Sequence, residues 1–258
     1  MSNDRALHAI TIPTALGVHT LQIAVDDRPM RLSEIVPLAQ HITNLFVETA
    51  LDEERRQGRS ISCGPGCAAC CRNLVALSAP EAFRVADVVS ELDPAEQADV
   101  FRRFESACHA AEKADMLRSM ARLESSSVEQ RQELAERYFA AQIDCPALMD
   151  RRCRMHPERP LVCRDLNVTS PAEECARPSV QSYRRVPTAP LLSGPLTRLV
   201  AKLTGTALTF VAMPLVLTFA EEHADLAFRT WPGSVLLSGL LEQMGLGHAN
   251  PSMAPAGE

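Results

Sequence analysis

The stretch CGPGCAACC, residues 63–71, puts four cysteines into nine residues and ends on an adjacent pair, Cys70 and Cys71. Gly64, Pro65 and Gly66 fill its first gap, and such turn-forming residues argue against a helix or strand running through it. A second cysteine-rich run carries Cys145, Cys153, Cys163 and then Cys175. Thiolates two or three residues apart on a tight turn can converge on one tetrahedral ion. A sulfur-only donor set suits zinc or an iron–sulfur cluster over hard cations such as magnesium. Irregular loops also need an organising centre, which a metal supplies. The expected ligands are therefore Cys63, Cys67, Cys70, Cys71, Cys145, Cys153, Cys163 and Cys175. Neighbouring side chains mostly point to different sides of the backbone. Cys70 and Cys71 are thus expected to serve two centres, or two irons of one cluster. How the eight thiols divide among sites stays open.

Working outward, the flanks read as helices. Ile35, Leu38, Ile42, Phe46 and Leu51 recur at helical spacing within 31–57. Ser78 lies three residues before Glu81, the signature of a reciprocal helix cap. Asp93, Pro94 and Glu96 repeat that signal, and a further helix is expected over 128–142. SPAEEC, residues 170–175, looks like a cap opening a short helix. Helices are also expected near 195–207, 214–226 and 234–244. Residues 1–30 alternate loosely, as in HTLQIAV, and are read as a short N-terminal β element. The expected class is mainly α, with irregular cysteine-rich metal-binding loops packed between helices. The expected organisation is an N-terminal segment 1–58, a cysteine-cluster region 59–180, a helical region 181–245 packed on it, and a disordered tail 246–258.

Composition narrows the function. The chain has 258 residues, 46% of them hydrophobic, with one Trp and two Tyr. Its core must therefore be built largely of Leu, Val and Ala. The net charge is -6, and Lys113 and Lys202 are the only lysines. An acidic chain with dispersed Arg carries no electrostatic footprint for nucleic acid or an anionic membrane. The first residues include Asp4 and Arg5 and no continuous apolar run, so no secretory leader is expected and the protein reads as cytoplasmic. The uncharged run 203–220 approaches a membrane span in length, but Pro214 interrupts it. A buried helix preceded by a loop is the expectation there. Nine cysteines, an odd number, in a reducing compartment favour metal over a disulfide framework.

GCAACC, CPALMDRRCRMHPERPLVCR and NVTSPAEEC together resemble the YkgJ-type cysteine-cluster family, named for a CxxCxxCC signature. The resemblance covers residues 60–176. Its specific parts are the double cysteine, the element Arg159, Pro160, Cys163, Arg164, and the cysteine upstream of it. The first spacing, Cys63 to Cys67, is one residue longer than the signature, and Met155–His156 stands where that family usually has Ile–Tyr. The resemblance implies zinc or iron–sulfur binding. One related branch implies an enzyme that methylates flagellin lysines, with a protein as substrate. The residues themselves name no catalytic group and no partner.

Other candidates read more plainly. Cys108 lies in a helical pattern and is expected in the core. His156 is expected to pack rather than ligate. Glu105 with His109, and Glu221, Glu222 and His223, read as solvated helix faces. Arg72, Arg151, Arg152, Arg154, Arg159 and Arg164 lie in or beside the cysteine runs, where guanidinium charge favours thiolates. Of these, Arg159 is expected to be architectural, bonding carbonyls or thiolates. Zinc in closed four-thiolate sites predicts a structural or interaction module. A cluster predicts electron transfer. Cys145–Pro146 echoes the Cys-Pro that ends ferredoxin-type runs and tilts the reading to iron.

Overall fold

The computed structural model describes residues 6–25, 27–64, 66–176, 183–206 and 210–246. The chain opens with an antiparallel hairpin, β1 (Ala6–Thr14) and β2 (Gly17–Val25), in register Thr14 to Gly17. Strand period two places Ile10, Ile12, Leu21 and Ile23 on one face, and all four are buried.

The rest is mainly helical. β3 (Pro29–Arg31) runs through a 3-10 turn into α1 (Val36–Arg56). β4 (Ala76–Ser78) leads directly into α2 (Ala79–Ser90), and α3 (Pro94–Lys113), α4 (Leu117–Met120) and α5 (Val128–Ala140) follow. The tiny hairpin β5 (Leu148–Met149) and β6 (Arg152–Cys153) precedes α6 (Leu161–Asp165) and α7 (Ser193–Thr204). β7 (Phe210–Ala212) passes through a 3-10 turn at Pro214 into α8 (Val216–Glu222), and α9 (Ala224–Phe228) follows. β8 (Thr230–Pro232) then enters α10 (Gly233–Gln243). β3 pairs with β8 and β4 with β7, both antiparallel. Two pairs of strand-then-helix units thus form the frame.

Local chemistry explains the helix starts. The Ser78 backbone N–H donates to the Glu81 carboxylate at 3.0 Å, the expected reciprocal cap. The Asp93 carboxylate accepts from the amides of Ala95 and Glu96 at 2.9 and 3.0 Å. Helix α7 closes on Gly205 in the left-handed region at φ 70°.

One main core takes Ile10 and Leu21 from the hairpin, Ile42 and Phe46 from α1, Phe83 from α2, Leu161 from α6, Leu199 from α7 and Leu240 from α10. The expected segments 1–58, 59–180 and 181–245 therefore contribute to one core. A second cluster of Leu77, Val85, Phe104, Ala147, Met155, Val211, Met213 and Val216 lies beneath Cys145 and Cys153.

Three boundaries differ from the sequence reading. The helix expected over 128–142 stops at Ala140, because Gln142 takes φ 52°. The helix expected over 214–226 is two, divided at His223, whose backbone leaves the helical region. The uncharged run 203–220 is split into the end of α7, β7, the Pro214 turn and part of α8, with 207–209 outside the described residues. Among the described residues no helix is long and apolar enough to cross a membrane. Of the expected tail 246–258, residues 247–258 lie outside the described residues, and Leu246 packs against the main core.

Candidate metal centre

Residues 59–64 and 66–68 are neither helix nor strand, and 69–72 form a single 3-10 turn. The amide of Cys67 donates to the Gly64 carbonyl at 3.0 Å. Gly66 closes that turn at φ 85°, a conformation that favours glycine.

This segment is tied to the second cysteine run at both ends. The Cys145 amide donates to the Cys71 carbonyl at 2.8 Å, and the flanking Arg72 and Asp144 form an ion pair at 2.9 Å. At the other end the Ser62 amide donates to the Val168 carbonyl at 3.0 Å. Residues far apart in sequence are thus fixed opposite one another by backbone bonds.

The turn and helix that carry Cys163 hang on α1 and α2. The Glu81 carboxylate, buried at 2% exposure, accepts the Leu161 amide at 2.9 Å. Gln40 of α1 donates to the carbonyls of Glu158 and Arg159 at 3.4 and 3.3 Å. The buried Arg164 guanidinium donates to the Arg159 carbonyl at 2.8 Å, to Asn44 at 3.1 Å and to the Pro157 carbonyl. An arginine used in this way ties the turn 157–159 to the Asn44 side chain of α1.

The result is a cavity of about 610 Å³ whose lining includes Cys63, Cys67, Cys70, Cys71, Cys145, Cys153 and Cys163. Its volume lies within the span of about 300–1,000 Å³ usual for ligand pockets. All seven of these cysteines are free and half-buried. Val75, Ala147, Met155, Leu166 and Met213 supply its apolar wall. Arg151, Arg152, Arg159 and His156 also line it, and no Asp or Glu does among the described residues. Among those residues no three His, Cys, Asp or Glu side chains are grouped so as to hold a metal ion. The thiols ring a space rather than close on a point.

Electrostatics differ around the ring. The Cys71 thiol hydrogen-bonds to Cys70, which brings Cys70 down to about 7 and pushes Cys71 up. Burial pushes Cys145 up to about 12 and raises Cys63, Cys153 and Cys163. The Arg159 charge opposes that rise at Cys63, Cys153 and Cys163. It is also the first cause holding the His156 imidazole below its ordinary value.

The eighth expected ligand, Cys175, is not among the residues lining the cavity, but its thiol lies within electrostatic reach of Cys63, Cys67 and Cys70. Cys175 is buried in the 3-10 turn Ala172–Ala176, which packs against the turn Ala69–Arg72. Burial pushes it up to about 11. Cys108 is half-buried in α3 and donates to the Pro214 carbonyl at 3.1 Å. His156 is exposed at the rim of the cavity. Glu105, His109, Glu221, Glu222 and His223 are exposed, as expected of solvated faces. Cys70 and Cys71 both face the cavity instead of two sides, because the chain turns tightly in a 3-10 conformation there.

Sequence reasoning missed several residues. Met213 reaches the wall from the uncharged run 203–220, and no local motif marks it. Glu81 was legible as a helix cap, but its bond to Leu161 was not. The arginines also sort differently. Arg72 pairs with Asp144, Arg154 with Glu96, and Arg164 takes the carbonyl-bonding role expected of Arg159. In searches with this chain, no family model, no curated protein and no solved structure gave a match.

Proposed function

We propose that this protein binds an iron–sulfur cluster in the thiol-lined cavity and serves in electron transfer. The observation that carries the reading is the convergence of seven thiols from two distant segments on one cavity of about 610 Å³. A lone tetrahedral zinc takes four ligands at about 2.3 Å. Seven thiols ringing a wide space exceed that need. A polynuclear cluster brings its own sulfide and irons into such a space, and its irons take thiolates from several directions.

The residues fit that group in kind. Cys63, Cys67, Cys70, Cys71, Cys145, Cys153 and Cys163 are the candidate ligands, and the turn that carries Cys175 packs against the turn Ala69–Arg72. Arg159 supplies positive charge against an anionic thiolate set. The apolar wall limits water around the sulfur atoms. When bound, an iron–sulfur cluster supplies one-electron transfer at a potential set by charge, hydrogen bonds and burial. No residue is assigned a catalytic role.

Anaerobic purification followed by a visible absorption spectrum and metal analysis tests the proposal. The expected result is a coloured protein containing iron and acid-labile sulfide in similar amounts. A colourless protein carrying zinc without sulfide would overturn it in favour of a structural zinc module.

A further inference from the structure

Arg159 and Arg164 flank Cys163 and are used in opposite ways. Arg164 spends its donors on the carbonyls of Pro157 and Arg159 and on Asn44. Arg159 lines the cavity, and its Nε is buried with no hydrogen-bond partner among the described residues. A buried, unused N–H is costly, by about 1–3 kcal/mol, and is retained where a partner completes it.

The backbone of Arg159 is held firmly. Its carbonyl accepts from both Gln40 and Arg164, and Pro160 follows it. The guanidinium is therefore kept on the cavity side by two buried donors that do not touch it. It shares the cavity lining with Cys63, Cys70, Cys153 and Cys163, thiols from both segments. Arg151 and Arg152 also line the cavity, but they are exposed to solvent, where charge is screened.

We infer that Arg159 is the built-in cation of this cavity. Its charge and its buried Nε–H hold an anionic sulfur group there and raise that group's reduction potential. The inference rests on the cluster reading for the potential, and on the cavity alone for the charge.

Two measurements separate those parts. The first uses the iron-free full chain under reducing conditions and compares alkylation by iodoacetate and by iodoacetamide. Both reagents attack the same thiolates, so the ratio of their rates reads the field in the cavity. Arg159→Gln is expected to lower the iodoacetate-to-iodoacetamide ratio by about threefold or more. Arg159→Lys keeps most of the ratio, and the Arg151→Gln, Arg152→Gln double variant changes it less than Arg159→Gln does.

The second measurement is an electrochemical titration of the loaded protein. Arg159→Gln is expected to shift the one-electron reduction equilibrium about tenfold toward the oxidised form, a fall of about 59 mV. Arg159→Lys restores the charge without the planar donor fork and falls between the two. An unchanged reagent ratio in Arg159→Gln would overturn the charge role, and an unchanged midpoint would overturn the tuning role. If the wild type takes up no cluster, the cluster reading and the tuning role fall together. The reagent ratio then still decides whether Arg159 is the cation of the cavity.

Discussion

The helical frame and the thiol cavity use their polar groups differently. In the frame, buried Glu81, Thr43, Gln40 and Arg164 each meet partners within the chain. Around the cavity, seven thiols share one space, bonded at most to nearby backbone or to each other, and the Nε of Arg159 has no hydrogen-bond partner among the described residues. Cys63, for instance, is 4.0 Å from the Leu166 carbonyl and takes a backbone hydrogen bond at Val168. The frame meets most of its buried polar groups from its own sequence, Ser33 and Ser193 Oγ excepted. The cavity, on our reading, is completed by a sulfur-rich group from outside the chain.

The contrast predicts that changes in the frame cost stability, while changes in the ring cost metal. The largest loss is expected from Leu161→Ala. Leu161 is fully buried in the main core and begins the helix that carries Cys163. Denaturant unfolding should show a loss of about 2–5 kcal/mol.

Glu81→Gln comes next. The carboxylate accepts from the Ser78 amide, the Ser78 hydroxyl and the Leu161 amide. A Gln amide turns an N–H2 toward one of those donors and leaves it unmatched. The expected cost is about 1–3 kcal/mol, read by the same unfolding curve. Gly239→Ala belongs in the same range. A methyl there would meet Leu199 Cδ1 at 2.5 Å, so overpacking of about 1–3 kcal/mol is expected.

The ring variants should behave in the opposite way. Cys63→Ser and Cys145→Ser are expected to change the stability of iron-free protein by about 1 kcal/mol or less. Each should nevertheless lose most of the bound iron after reconstitution. Cys175→Ala should keep its iron, because Cys175 lies off the cavity wall. Iron loss in that variant equal to the loss in Cys63→Ser would place Cys175 among the ligands.

The smallest effect concerns an ion pair between α2 and the turn before α6. Arg84 donates to Glu158 at 3.0 Å and holds the Glu158 carboxyl below its ordinary value of 4.5. A carboxyl depressed by folding stabilises the protein fully above that ordinary value. The contribution is lost as the pH falls through the folded-state value. Arg84→Met should therefore be less stable than wild type by about 0.2–1 kcal/mol at neutral pH. The gap should close in acid, and a gap that persists there would mean that Arg84 acts through packing instead.

Much of the frame was legible because its signals are local. Ser78 with Glu81, Asp93 with Pro94, and the apolar spacing of Ile42 and Phe46 each announce a helix within a few residues. The β pairings were not legible. β3 meets β8, and β4 meets β7, across most of the chain, and three-residue strands leave no periodicity to read. At the site, the clustered thiols marked seven residues that line one cavity. Cys175 could not be placed on or off the cavity wall from sequence, because a buried thiol and a ligand look alike there. Arg159 and Arg164 were indistinguishable until the carbonyls of 157 and 159 were seen to take Arg164. Met213 carried no signal, because a methionine in an apolar run is ordinary core until the wall it completes is known.

X-ray absorption at the iron edge of anaerobically loaded protein tests the central claim most directly. The account predicts sulfur as the nearest neighbour of iron and a second iron just beyond it, both lost in a Cys70→Ser, Cys163→Ser double variant. Iron with no iron neighbour, or a protein that takes up only zinc, would contradict it.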